Sequence, residues 1–154
     1  MHRDLAARNI LVSDDLRVKI SDFGLARFLD TGGYYLTQHF GRDVPLAWYA
    51  PEVIEFHKYS SKSDTWSFGV LLWEMFSFAA APYFCDLRVL AERLRQGQRL
   101  PQPNACPEPC YALMQRCWAF EAVNRPDFTL LFTDLNLLFE KTSNATTAAA
   151  HQPS

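Results

Sequence analysis

The sequence predicts a mainly α domain, a helical bundle around one central buried helix, with a small β-hairpin ahead of it. Two observations carry this. Ser61–Ser77 contains Trp66, Phe68, Val70, Leu71, Leu72, Trp73, Met75 and Phe76, which cover nearly every face of a helix. A helix apolar all round belongs at the centre of a domain. Near the start of the chain, Asn9–Val12 and Arg17–Ile20 are short β-type runs joined by turn residues, the signature of a hairpin.

The other elements follow in order. Ser21–Ala47 has little periodicity and is broken by Gly32-Gly33, which predicts a long, mobile loop. Ser61 is placed to cap the central helix, with Asp64 three residues on as a variant of the capping box. A second helix spans about Leu87–Gln96 and stops at Gly97. The proline-rich stretch from Arg99 to Cys110 is expected to be extended. Tyr111–Trp118 and Phe128–Lys141 are two more amphipathic helices, the last capped by Asp127. From Thr142 to Ser154 the residues are small, polar and without pattern. The chain therefore divides into a domain over 1–141 and a disordered tail over 142–154.

Composition narrows the function classes. The 154 residues carry 15 basic and 17 acidic side chains, a formal charge of -2, so no basic stripe favours a nucleic-acid partner. The apolar run Phe68–Trp73 is far short of the ~20 residues that cross a bilayer. Cys85, Cys106, Cys110 and Cys117 form no C-x-x-C pair, so they read as free thiols of a reducing compartment rather than zinc ligands.

The chemistry concentrates in the first residues. Asp4 and Asn9 lead into the first strand and Asp22 follows the second, so the hairpin can bring Asn9 and Asp22 to face one another. An amide oxygen and a carboxylate are hard ligands suited to Mg²⁺. Asp4 is not needed as a ligand and can accept a proton from a hydroxyl that attacks a phosphate. Arg8 adds a fixed positive charge where phosphoryl oxygens gain charge.

His2-Arg3-Asp4-Leu5 with Asn9, then Asp22-Phe23-Gly24, then Ala50-Pro51-Glu52, resembles the protein-kinase signature set. The resemblance runs from about His2 to Glu140 and implies the C-terminal lobe of the protein-kinase fold. It implies Asp4 as catalytic base, Asn9 and Asp22 as holders of Mg²⁺ beneath the ATP phosphates, and Phe23 as the residue whose packing sets the active state. "HRDLAARN", with Arg8, is similar to the catalytic loop of tyrosine kinases. "VPLAWYAPE" resembles their substrate platform, in which Pro45 and Trp48 would carry the acceptor tyrosine of a protein substrate. Ala47 departs from the Lys or Arg common there. Further likenesses to the Ack, Shark and spleen tyrosine kinases imply a non-receptor, cytoplasmic enzyme.

The same resemblance implies two structural contacts: a buried pair of Glu52 with Arg125, and Asp64 accepting from the His2–Arg3 backbone. Ala79 stands where the family usually has glycine. Tyr34 and Tyr35 are expected as activation-loop phosphorylation sites, with Arg3 and Arg27 as phosphate partners. The chain has no glycine-rich loop and no V-A-I-K lysine. It is therefore expected to be a fragment lacking the N-terminal lobe and companion domains, inactive alone. The alternative is a non-catalytic lobe acting as a binding or regulatory module.

Overall fold

The computed structural model describes residues 1–29, 32–37, 45–83 and 87–149, and of 87–88 and 142–149 only the backbone. Cys85 lies outside the described residues. Hairpin strands β1 (Ile10–Val12) and β2 (Val18–Ile20) pair antiparallel, with Leu11 opposite Lys19. Two-residue strands β3 (Tyr35–Leu36) and β4 (Lys58–Tyr59) pair Tyr35 with Tyr59. Five helices complete the described fold: α1 (Pro51–Phe56), α2 (Ser61–Phe76), α3 (Leu87–Arg95), α4 (Glu108–Cys117) and α5 (Phe128–Ala149). The mainly helical fold that the sequence predicts is thus present, with α2 at its centre.

α2 begins one residue after its true cap. Ser60 Oγ accepts from the Lys62 and Ser63 amides, and Ser63 Oγ accepts from the Ser60 amide, a reciprocal capping box. Ser61 and Asp64 do not play those parts, because Asp64 is turned towards the start of the chain. Nor is α2 apolar all round. Asp64, Ser67 and Glu74 are buried and, at spacings of three and seven, form a polar stripe on one face. The remaining faces pack Trp66, Val70 and Leu72 into a core shared with Tyr59, Leu90, Leu94, Met114, Trp118 and Leu131.

Helix ends follow backbone chemistry. Gly97 takes a φ of 89°, and the Gln98 and Gly97 amides return to the Arg93 and Leu94 carbonyls, closing α3. α4 starts earlier than the apolar pattern indicates. Pro107 is its N-cap and Pro109 sits in its first turn, where a missing N–H costs nothing, so the extended stretch ends there. Asp127 Oδ1 accepts from the Leu130 amide at 2.8 Å and caps α5. α5 continues to Ala149, into the stretch read as a patternless tail. Its alanines keep helix propensity high enough to extend a helix already nucleated. Cys106 and Cys117 are buried and Cys110 is half-buried. Burial pushes the Cys117 thiol up to about 12, so it is an inert core group.

After α2 the chain turns through two left-handed residues, Phe78 (φ 55°) and Ala79 (φ 61°), and the Ala79 amide donates to the Glu74 carbonyl. A side chain in that region costs about 1–2 kcal/mol. Ala79→Gly removes the strain and gives back part of the gain as unfolded-chain entropy. The expected result is a net stabilisation of about 0.5–1 kcal/mol, read as a higher denaturant midpoint with unchanged slope.

Candidate active site

The His2–Asn9 segment is pinned to α2 by its own backbone. Asp64 Oδ2 accepts from the His2 amide at 2.6 Å and Oδ1 from the Arg3 amide at 2.9 Å. Burial raises the Asp64 carboxyl above its ordinary value, while these two amide donors pull it back down. The two bonds hold Arg3 at a φ of 74°, a strained conformation for a side-chain-bearing residue.

The strain turns the chain so that Asp4, Arg8 and Asn9 converge. Arg8 Nη2 pairs with Asp4 Oδ1. Asn9 Nδ2 donates to Asp4 Oδ2 and to the Asp4 carbonyl, both at 2.8 Å. A 3₁₀ turn at Ala7–Asn9 makes this possible within five residues. The Arg8 guanidinium lies 4.7 Å from the centre of the Trp48 ring, so the turn Leu46–Trp48 that follows Pro45 flanks the same carboxylate.

The hairpin carries the second half of the site. Both the Ser21 amide (2.8 Å) and its hydroxyl (3.0 Å) donate to the Asn9 carbonyl, which sets Asp22 just beyond Asn9. Asp22 has a φ of 57°, and its Oδ1 accepts from the Gly24 amide at 3.2 Å. A Cβ on Gly24 would sit 3.2 Å from that same oxygen, which explains the glycine. The Phe23 ring packs edge-on against His2 at 4.9 Å, and His2 Nε2 lies 3.0 Å from the Ser21 carbonyl.

Arg3 is almost fully buried. Its guanidinium lies over the rings of Tyr59 at 4.0 Å and Tyr35 at 4.9 Å, and its Nε has no hydrogen-bond partner among the described residues. Tyr34, the residue before β3, is exposed, with Lys58 Nζ 4.5 Å from the centre of its ring. Among the described residues no contact joins Arg27 to Tyr34 or Tyr35, and its Nη1 donates to the Ala26 carbonyl. In α1, Glu52 is gripped by Arg125 with two bonds of 2.6 and 2.7 Å.

Sequence reading missed Glu74, Tyr59 and Lys58. Glu74 left a trace, a lone acid inside an apolar helix, which burial forces to find donors. Tyr59 and Lys58 belong to a two-residue strand too short to carry a pattern.

The sequence that builds this site has relatives. The family model described as protein tyrosine and serine/threonine kinase matches residues 1–135. The chain is 44% identical over 144 residues to the tyrosine-protein kinase Abl of Drosophila melanogaster, covering 93% of this chain and 9% of that protein. It is 47% identical over 136 residues to the transforming tyrosine-protein kinase Fps of Avian sarcoma virus (strain PRCII), covering 88% and 25%. It is 43% identical over 155 residues to the human ephrin type-A receptor 1, covering 99% and 16%. The chain thus spans a quarter or less of the length of these relatives. On the residues that build this site and the match along nearly its whole length, the chain belongs to the protein tyrosine and serine/threonine kinase family.

Proposed function

We propose that the chain is the catalytic-loop and substrate-binding half of a protein tyrosine kinase, which transfers the γ-phosphate of ATP to a protein tyrosine. One observation carries the reading: the Asp4 carboxylate is held from one side by Arg8 and from the other by Asn9, next to Trp48. Each carboxylate oxygen has a further lone pair after accepting one bond. The tyrosine oxygen bonds to the γ-phosphorus, the bond from that phosphorus to the ADP oxygen breaks, and Asp4 takes the hydroxyl proton. Arg8 orients Asp4 and sets positive charge beside the transferring group.

Asn9 and Asp22 suit Mg²⁺. Asn9 commits its Nδ2 to Asp4 and turns its amide oxygen away from that contact. Asp22 has one oxygen on the Gly24 amide and a second without a partner among the described residues. Two hard oxygens are the protein share that Mg²⁺ takes when phosphates and waters supply the rest. Bound there, the ion neutralises charge on the phosphates.

Tyr34 and Tyr35 are read as the activation-loop acceptors. The support is Arg3, a buried cation against the Tyr35 ring with an unsatisfied Nε. The proposed non-receptor, cytoplasmic assignment rests on Val44–Glu52 and Ser63–Phe76 for Ack, on Arg99–Pro107 with Tyr111–Trp118 for Shark, and on Tyr34-Tyr35 with Trp48–Glu52 for spleen tyrosine kinase. No described helix is long and apolar enough to cross a membrane. The 154 residues alone are proposed to be inactive, since they contain no glycine-rich phosphate loop or strand lysine.

Asp4→Asn tests the central reading. In the full-length protein, turnover of a tyrosine peptide is expected to fall at least about a hundredfold while the melting temperature stays put. Undiminished phosphorylation by that variant would sink the assignment.

A further inference from the structure

We propose that Lys58 is the phosphate partner of Tyr34, so that each of the two adjacent tyrosines has a cation of its own; the proposal rests on the reading of Tyr34 as a phosphorylation site given above. Tyr34 is 37% exposed and open to a modifying enzyme. Lys58 Nζ lies 4.5 Å from the centre of its ring. The strand register explains the meeting. Lys58 stands opposite Leu36, and Tyr34 lies two residues before Leu36, within the diagonal reach of a long side chain across a strand pair. Tyr35 stands opposite Tyr59 instead, and its ring meets the buried Arg3.

Tyr34 and Lys58 line one hollow of about 530 Å³, together with Glu52, Glu55, Lys62 and Glu121. Most of these charges are committed. Arg125 holds Glu52, Arg95 holds Glu55, and Lys62 Nζ donates to the Arg125 carbonyl at 2.6 Å. Glu121 turns a dianion away from itself. Lys58 makes no ion pair among the described residues, so it is the cation that a phosphate in this hollow meets. Phosphorylation joins the Tyr34 oxygen to the γ-phosphorus of ATP, breaks the bond from that phosphorus to the ADP oxygen and passes the hydroxyl proton to the base of the modifying enzyme. The side chain gains a charge of about -1.5 to -2. A cation on a ring face is a weaker contact than one on a dianion, and the flexible stem of lysine lets the ammonium slide from ring to phosphate. Arg3 cannot make that move, because Tyr35 and Tyr59 enclose its guanidinium and Asp64 holds its amide. The new contact would fasten the residues ahead of β3 to β4, a two-residue ladder that is marginal by itself.

The test uses the full-length protein with phosphotyrosine incorporated at position 34 during synthesis and Tyr35→Phe to remove the second acceptor, so it needs no kinase activity.

The phosphorus resonance is followed against pH. The second phosphate ionisation, ordinarily near pH 6, is expected about 0.5 lower, because Lys58 favours the dianion. Lys58→Gln is expected to return it to the ordinary value and to speed removal of the phosphate by an added tyrosine phosphatase by about threefold to tenfold. Lys58→Arg keeps the charge and is expected to keep both effects. With the phosphate at position 35 and Tyr34→Phe instead, Lys58→Gln is expected to change neither readout. An ordinary ionisation with Lys58 present, no response to Lys58→Gln, or an equal response from a phosphate at position 35 would each overturn the proposal. A wild-type protein that takes no phosphate on Tyr34 from ATP and an active tyrosine kinase would defeat the acceptor reading and the proposal with it. Full activity in Asp4→Asn would defeat the kinase reading and leave the Lys58 contact standing.

Discussion

Arg125→Met is expected to destabilise the fold by about 3–5 kcal/mol, measured as a lower denaturant midpoint. The Arg125 side chain is fully buried, and Glu52 is only slightly exposed. Its two bonds to Glu52 are joined by donations to the carbonyls of Ala119 (2.8 Å), Phe120 (3.0 Å) and Lys62 (3.0 Å). The guanidinium also lies 5.1 Å from the centre of the Trp66 ring. Methionine fills the space but removes both donors to the Glu52 carboxylate and the Arg125 donors to the Ala119 and Phe120 carbonyls. The unmatched charge dominates, since paired replacement of a buried ion pair by apolar residues is often neutral. The double variant Glu52→Leu/Arg125→Met is therefore expected to cost much less than the sum of the two single changes. Additive losses would show that the two side chains act independently.

Gly69→Ala is expected to cost about 3 kcal/mol, the upper end for overpacking a core. A Cβ built on Gly69 would lie 2.6 Å from Trp118 Nε1 and 2.8 Å from Cys117 Cβ. Neither neighbour can yield easily. Trp118 and Cys117 are buried at the end of α4, and the Trp118 amide is bound back into that helix. The helices would have to separate, and core packing transmits such a shift. On propensity alone the same substitution would stabilise α2 by about 1 kcal/mol, so the sign of the measured change decides between local preference and helix contact. A more stable variant would mean that α2 and α4 do not approach as described.

Much of the site was legible in the chain because its chemistry is local. Asp4, Arg8 and Asn9 lie within six residues and meet through one 3₁₀ turn. Asp22 follows a hairpin whose register is set by a short turn. Asp127 as a cap and Gly97 as a stop were readable for the same reason: a cap bonds to its own next turn. What escaped reading crosses the fold. Ser60 rather than Ser61 caps α2, because the Asp64 carboxylate is drawn to two amides more than sixty residues away. α4 starts at Glu108 because its prolines occupy the first turn, the one part of a helix that admits them.

Residue order by itself determined the catalytic motif, the hairpin that presents it and the helices that carry it, since capping, turn chemistry and apolar periodicity act over a few residues. Only the tertiary structure decided that α2 carries a polar stripe, that Arg3 is enclosed by two tyrosines, and that Glu74 accepts from both the Ala7 amide and the Trp48 indole. Each of these depends on burial, which makes an unsatisfied charge or amide costly and so selects partners by position in space rather than along the chain.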